Sequence, residues 1–466
     1  MRSTKIKPYD YQADGFNFLQ LNAGTGIIAD DMGLGKTFQS ILWCEYNAKK
    51  ALIVCPASLQ YNWSEEIEKF THSDSRIIDS RSLKVKKRKI DYTVSNLNYL
   101  IISFSYLQRL VEKKIHSQVG DKVKYTYIPR PELFELVGAG FDTVIIDEAH
   151  YMSNPSSIRA RAVKCINSLM QNKIPMTGTP IKSKPVEFFP ILEAVAPQQF
   201  NNWHHYVTNF CGAKKGRYGY SYNGATNLDL LHKIIQPYYI RRKKEEVLDS
   251  LPEKTRQMIK LDLSQCKEYD VLVDELKEAE EQIHQFAILT KIRKALSKHI
   301  AGNVVDFAQN IIENSDSKII VGSMFLDVFS VFRETFGDQM VEYHGSLNKE
   351  QKNESLISFR NDPRKRIIVG TISSMGVGLN ITAADKVLVN DTPWTPADCF
   401  QFEDRAYRNG QKNNVNCYYF GYNGTYHDVI FDMIQNKNKI SELILDGRVM
   451  TEGHVLKAVI KYIKNH

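Results

Sequence analysis

Two blocks of short apolar runs limit what this chain can fold into more than any other feature. The first block holds Gly26-Ile27-Ile28-Ala29, Ala51-Leu52-Ile53-Val54-Cys55, Tyr99-Leu100-Ile101-Ile102-Ser103 and Thr143-Val144-Ile145-Ile146-Asp147. The second holds Lys318-Ile319-Ile320-Val321-Gly322, Arg366-Ile367-Ile368-Val369-Gly370 and Lys386-Val387-Leu388-Val389-Asn390. Each run has strand length, is continuous rather than alternating, and ends in a polar or glycine-rich turn. That is how strands buried on both faces read. Helix-like segments separate them, so the expected fold class is α/β with two parallel-sheet lobes and helical insertions.

The expected organisation is lobe 1 over residues 1–180, then a helical protrusion and connector over 181–254. A helical insertion of lobe 2 follows over 255–300, with lobe 2 itself over 301–446 and a basic C-terminal helix over 447–466. Helical patterning dominates from about Ile181 to Ser297, and Lys267 to Lys294 carries charge pairs at helical spacing. The joint between lobes is placed near Leu251-Pro252-Glu253-Lys254, and the amphipathic end runs from Val455 to Lys464. No internal repeat of solenoid length is evident.

Composition only sets bounds. The 466 residues are 43% hydrophobic and 24% charged, which excludes wholesale disorder. The formal charge of +8 permits a polyanionic partner without locating one. The cysteines are scattered with no Cys-x-x-Cys, which reads as buried free thiols in a reducing compartment. The first residues, MRSTKIKPYD, have no apolar core for a signal peptide, and no run approaches the ~18 residues of a membrane span. An intracellular, cytoplasmic location is expected.

Chemistry concentrates first at Ala29-Asp30-Asp31-Met32-Gly33-Leu34-Gly35-Lys36-Thr37, after a strand-like run and before a helix-compatible one. Glycines let backbone N–H groups close around phosphates, and the following helix N-terminus favours negative charge. Lys36 would reach the β- and γ-phosphates, and Thr37 would hold Mg²⁺ through its hydroxyl. The general phosphate-loop pattern has Gly where this chain has Asp30. The second concentration is Asp147-Glu148-Ala149-His150 at the end of an apolar run. Asp147 would hold Mg²⁺ through water while Glu148 orients or deprotonates the attacking water. Together these motifs read as a nucleoside-triphosphate-hydrolysing site.

These residues resemble the SNF2 family of helicase superfamily 2, whose loop reads Asp-Glu-Met-Gly-Leu-Gly-Lys-Thr where this chain has Asp30-Asp31-Met32-Gly33-Leu34-Gly35-Lys36-Thr37. The resemblance runs from Pro8 to about Leu445 and implies two RecA-like lobes, ATP with Mg²⁺, and a DNA partner. It makes Asp31, Met32, Gly33, Leu34, Gly35, Lys36 and Thr37 nucleotide contacts, and Gln12 in Pro8-Tyr9-Asp10-Tyr11-Gln12 the reader of adenine. Pro56, Ala57 and Ser58, with Ser103 after the Tyr99 run, would touch the DNA backbone. Thr177, Gly178 and Thr179 in Met176-Thr177-Gly178-Thr179-Pro180 would couple hydrolysis to lobe movement.

In the second lobe, Gln401-Phe402-Glu403-Asp404-Arg405-Ala406-Tyr407-Arg408-Asn409-Gly410-Gln411 resembles the family's last motif. Arg405 and Arg408, three apart and expected on one helix face, are implied as arginine fingers, with Gln401 coupling; which arginine carries more is left open. Thr371 in the run starting at Gly370 is implied to touch DNA, and Gly376 and Gly378 to approach ATP. Tyr343-His344-Gly345-Ser346 also matches, with His344 read as fixing a loop. Gly322 stands where relatives often carry an aromatic, and no role is assigned to it. ATP binding would close the lobes and hydrolysis release them, moving the chain along one strand, a movement that the family resemblance implies runs 3′→5′. Such contacts are to phosphates, hence sequence-independent.

Phe210-Cys211-Gly212-Ala213, Gly224-Ala225-Thr226-Asn227-Leu228, Tyr239-Ile240-Arg241-Arg242-Lys243-Lys244 and Leu251-Pro252-Glu253-Lys254 are most similar to the HARP-type annealing helicases. That resemblance implies branch migration or fork reversal on branched DNA. The alternatives are a duplex translocase that displaces bound proteins such as RNA polymerase, and an ATP-switched interaction module. Lys214, Lys215 and Arg217 precede alternating tyrosines in an expected hairpin or flexible loop; the tyrosines either stack on unpaired bases or pack on their own protrusion. Lys84-Val85-Lys86-Lys87-Arg88-Lys89 is a solvated face, a phosphate contact or a nuclear address. No accessory chromatin-reading module is evident beyond the motor, which suits a bacterial or phage setting.

Overall fold

The computed structural model describes residues 3–78, 97–119, 122–178, 185–216, 219–222, 224–247, 251–262, 266–376, 379–394, 396–435 and 452–465. The chain divides after Val247 into two compact units. In the first, the strands are β1 (Ile27–Ile28), β2 (Lys50–Cys55), β3 (Asp74–Ile78), β4 (Leu97–Ser103), β5 (Val111–Val119), β6 (Lys122–Pro129), β7 (Phe141–Ile146), β8 (Asn172–Pro175), β9 (Lys214–Gly216), β10 (Gly219–Ser221) and β11 (Tyr239–Ile240).

A parallel sheet runs in the order β3-β4-β2-β7-β8. Its centre stacks Ile53 beside Ile101 and Ile145, all buried, which is why those runs are continuous in the sequence. Isolated parallel bridges, Thr25–Lys173 and Ile28–Met176, join the chain around β1 to that around β8, and β11 pairs in parallel with β1, Ile27 opposite Tyr239. The chain thus returns, after its protrusion, to the strand that feeds the phosphate loop. Two antiparallel hairpins, β5–β6 and β9–β10, stand apart from the sheet pairing. The helix Ile158–Asn167 opens with Ser157 accepting from the Ala160 amide, and the helix Lys36–Asn47 begins directly at the loop's lysine.

The second unit holds β12 (Lys254–Leu261), β13 (Ile319–Ser323), β14 (Met340–Tyr343), β15 (Ile367–Thr371), β16 (Lys386–Val389) and β17 (Val415–Tyr422), all parallel, in the order β12-β17-β16-β13-β15-β14. The helix Gln282–Asn314 lays Ile288, Ile292, Leu296, Ile300 and Val304 into this core at helical spacing. Gly322 has a packing reason: a Cβ there would stand 2.5 Å from the Phe402 ring, so the glycine makes room for the helix Pro396–Glu403.

The expected strands are present, and the α/β class with them. The helical reading of 255–300 is corrected at its start, where β12 pairs along its whole length with β17. An edge strand carrying Lys254, Arg256 and Lys260 has no apolar run to announce it. The terminal helix Glu452–Asn465 packs Val459 and Ile463 into the second core, and Lys464 donates to the Ala279 carbonyl at 3.1 Å. Among the described residues, no helix is long and apolar enough to cross a membrane, and no group of three or more His, Cys, Asp or Glu is placed to hold a metal ion.

Candidate functional site

In the first unit the loop after β1 turns through Gly33 (φ 85°) and Gly35 (φ 74°), a left-handed backbone that favours glycine. The turn brings Lys36 back over its own loop, where Nζ donates to the Asp30 carbonyl at 2.8 Å and the Asp31 carbonyl at 3.2 Å. Burial lowers the Lys36 pKa, against the pull of Glu148, Asp30, Asp147 and Asp31. Thr37 follows in the first turn of the helix.

At the end of β7, Asp147 accepts from the Trp63 indole Nε1 at 2.8 Å and from the Glu148 amide at 2.8 Å. Burial, and then the neighbouring Glu148, push the Asp147 carboxyl up to about 7, in spite of those bonds and Lys36. Glu148 sits in the left-handed region (φ 50°), uncommon for a residue with a side chain and the kind of local strain seen at functional turns. His150 Nδ1 lies 3.2 Å from Glu148 Oε2 and 3.1 Å from Thr177 Oγ1. One imidazole therefore touches both the carboxylate motif and the Thr177 motif. Gly178 closes on the loop: a Cβ there would stand 2.9 Å from Met32 Cγ and 3.5 Å from Lys36 Nζ. Gln12 accepts from the Tyr9 amide at 3.1 Å, and its Nε2 reaches the Leu34 carbonyl at 3.4 Å. Lys36, Asp147, Glu148, Gly178 and Gln12 thus gather on one loop from separate stretches of sequence.

The expected DNA residues are built differently. Ser103 caps the turn after β4 through the Tyr106 amide, and Thr371 donates to Ser374 Oγ at 2.8 Å; both are buried. Pro56 is buried before the short turn Ala57–Leu59, which carries Ser58 and exposes Ala57. Lys214 and Lys215 lie in β9, and Lys214 is exposed. Of the tyrosines beside them, Tyr222 packs edge-on against Trp203 at 5.8 Å while Tyr220 stays 53% exposed. Thr179, Arg217, Gly378 and the Lys84–Lys89 run lie outside the described residues.

In the second unit the helix Pro396–Glu403 ends before the arginines, which stand in the turns that follow. The expectation of one shared helix face is corrected; the chain must turn through Gly410 (φ 97°) toward β17. The two side chains converge all the same. Arg405 donates to the carbonyls of Gln401 at 2.9 Å, Gly376 at 2.8 Å and Leu379 at 3.4 Å, and Arg408 donates to Leu379 at 3.0 Å. Gln401 Oε1 lies 3.9 Å from where a Gly376 Cβ would be. Glu403, wholly buried, accepts from Arg256, Lys254 and Tyr419.

Trp63, Arg242 and Glu403 with its partners received no role from sequence reasoning. The one available signal was Asp30, a charge placed where glycine is usual and therefore in need of a cation.

A phosphate-type loop, paired carboxylates and a motif bearing two arginines, on two parallel α/β sheets, define a helicase-type ATPase. The SNF2-related domain matches residues 11–304, and the helicase conserved C-terminal domain matches residues 289–410. The chain belongs to the SNF2-related family. It is 30% identical over 464 residues to the DNA annealing helicase and endonuclease ZRANB3 of Bos taurus, covering 95% of this chain and 41% of that protein. It is 28% identical to the SWI/SNF-related matrix-associated actin-dependent regulator of chromatin subfamily A-like protein 1 of Xenopus laevis, covering 92% of this chain and 43% of that one. The chain therefore spans less than half the length of these relatives. The Sulfolobus solfataricus SWI2/SNF2 ATPase core in complex with dsDNA aligns over 96% of this chain and 94% of that one, with 22% identity and a TM-score of 0.42.

Proposed function

We propose that this chain is a DNA-dependent ATPase that moves along DNA and remodels branched DNA, by branch migration or fork reversal. The observation that carries the reading is similarity across 95% of the chain to a protein described as a DNA annealing helicase. The gathered loop and carboxylates supply its chemistry.

Lys36 would exchange its bonds to the loop carbonyls for bonds to the β- and γ-phosphates. Glu148, with His150 Nδ1 3.2 Å from its Oε2, would orient the attacking water and take its proton. Gln12 would read adenine, and the loop residues Asp31 to Thr37 would wrap the phosphates through their amides. The site suits a divalent cation, because burial beside Glu148 keeps Asp147 short of full ionisation at neutral pH. Thr37 and Asp147 would hold Mg²⁺, which when bound supplies positive charge at the phosphate oxygens. Arg405 and Arg408 would neutralise charge on the γ-phosphate. Arg405, buried and engaged on three carbonyls, is suited to hold Gly376 and Leu379 in place, and the more exposed Arg408 to act as the finger.

DNA would be held through backbone phosphates. Backbone amides around Ser103 and Thr371, the Ser103 hydroxyl and the exposed Lys214 of β9 would serve as donors.

ATPase assays with single-stranded, duplex and four-way-junction DNA test the reading. Junctions should stimulate turnover most, with strand exchange on a mobile junction, and Lys36→Ala should bind DNA but lose hydrolysis and movement. Equal stimulation by plain duplex without strand exchange would instead indicate a duplex translocase. No stimulation by any DNA would indicate an ATP-switched module.

A further inference from the structure

The segment by which the chain leaves its first unit is fastened to the phosphate loop, and the fastening centres on Arg242. The Ala29 amide donates to the Ile240 carbonyl at 2.8 Å and the Asp31 amide to the Arg242 carbonyl at 3.0 Å. In return the Arg242 amide and its Nε both donate to Asp30 Oδ1 at 3.0 Å, and Nη2 donates to Asp30 Oδ2. Asp30 is wholly buried, and the two residues lie 212 apart in the chain. A carboxylate taken out of water needs such a partner, and a forked guanidinium meets both its oxygens at once. This explains why an aspartate can occupy a position where phosphate loops usually have glycine.

The same guanidinium reaches two further elements. Nη1 donates to the Tyr11 carbonyl, beside Gln12, and Nη2 donates to Gln39 Oε1 at 2.9 Å on the helix Lys36–Asn47. Gln39 Nε2 closes the ring by donating to Asp30 Oδ2 at 2.9 Å. The packing leaves no slack: a Cβ on Gly15 would stand 1.8 Å from Gln39 Oε1 and 3.3 Å from Arg242 Nη2. Arg242 thus joins the helix bearing Gln12, the phosphate loop, and the helix begun by Lys36. Only five residues later, at Val247, the first unit ends.

We propose that Arg242 is a positioning residue for ATP hydrolysis, setting the phosphate loop through Asp30 and Gln39 from the segment that leads to the second unit. The inference rests on the ATPase reading above. It requires that loosening this one side chain alters how nucleotide is held even when the fold survives. Loop placement errors of about 1 Å cost on the order of 100-fold in turnover.

The test compares Arg242→Gln, Arg242→Lys and the paired Arg242→Gln/Asp30→Asn chain with the unaltered protein. Binding of a fluorescent ATP analogue, KM, kcat and thermal unfolding are measured on each. The paired variant removes both charges, so it should regain most of the stability that Arg242→Gln loses. Its KM for ATP should nevertheless stay raised on the order of tenfold, as should that of Arg242→Lys, which keeps the charge but not the fork. A wild-type KM and kcat in the paired variant would overturn the proposal, because the residue would then be only a structural counter-ion. Wild-type protein that binds and hydrolyses ATP without responding to DNA would defeat the DNA reading and leave this comparison intact. Wild-type protein that binds no nucleotide would defeat both.

Discussion

Replacing Glu403 by Gln should destabilise the second unit by about 3 kcal/mol, and the geometry sets that figure. The carboxylate is fully buried and accepts from Arg256 Nε at 2.6 Å, Arg256 Nη2 at 2.6 Å, Lys254 Nζ at 3.0 Å and the Tyr419 hydroxyl at 2.7 Å. Summing charge-assisted bonds at ~1.5–3 kcal/mol each would overshoot, since three charges were also taken out of water. Breaking a buried pair by removing one partner costs about 3–5 kcal/mol, mostly as the uncompensated charge left behind. Lys254 and Arg256 retain 13% and 19% exposure, which lets water relieve part of that cost and argues for the lower end. For a unit of this size the loss lowers Tm by roughly 6–12 °C. Burial pushes the Glu403 carboxyl up, but Lys254 and Arg256 pull it further down, so its folded value lies below the ordinary one. Its stabilisation is then complete above the ordinary carboxylate value and is lost as pH falls through the folded value. Calorimetry at neutral and acid pH, with hydrogen exchange at β12 and β17, reads both effects. Replacing Glu403, Lys254 and Arg256 together by Met should recover most of the loss. A Glu403→Gln protein within about 1 kcal/mol of wild type at pH 7 would show that the buried carboxylate carries no such load.

Trp63→Phe removes one hydrogen bond to the ionised form of Asp147, worth ~1.5–3 kcal/mol, so the carboxyl midpoint should rise from about 7 by roughly one to two pH units. Carbon-13 titration of labelled aspartate in metal-free protein reads it, and an unchanged midpoint would contradict the geometry. Because that carboxyl is raised on folding, it should also make wild-type stability decline as pH climbs from 3.8 to about 7, where only the folded chain holds the proton. Gly322→Ala drives a methyl group into the Phe402 ring and should cost about 1–3 kcal/mol. ATP turnover should fall with it, since Phe402 lies three residues before Arg405; full stability and turnover would show that the ring moves aside freely.

The strands were legible because a strand covered on both faces must be apolar at every position, as Leu52, Ile53 and Val54 are. The phosphate loop and Asp147-Glu148 were legible because their chemistry needs adjacent residues of fixed type. β12 was not, because an edge strand can carry Lys254 and Arg256, whose partner Glu403 lies far along the chain. The shared helix face of Arg405 and Arg408 was misread, since spacing alone does not reveal a helix that stops at Glu403. Contiguous residues carry the two-sheet class, the phosphate loop and the carboxylate pair from which ATPase chemistry is proposed. What holds those residues in place emerges only on folding: Trp63 on Asp147, His150 between Glu148 and Thr177, and Arg242 on Asp30. Those contacts join residues remote in the chain, and nothing in their local composition specifies which buried charge meets which.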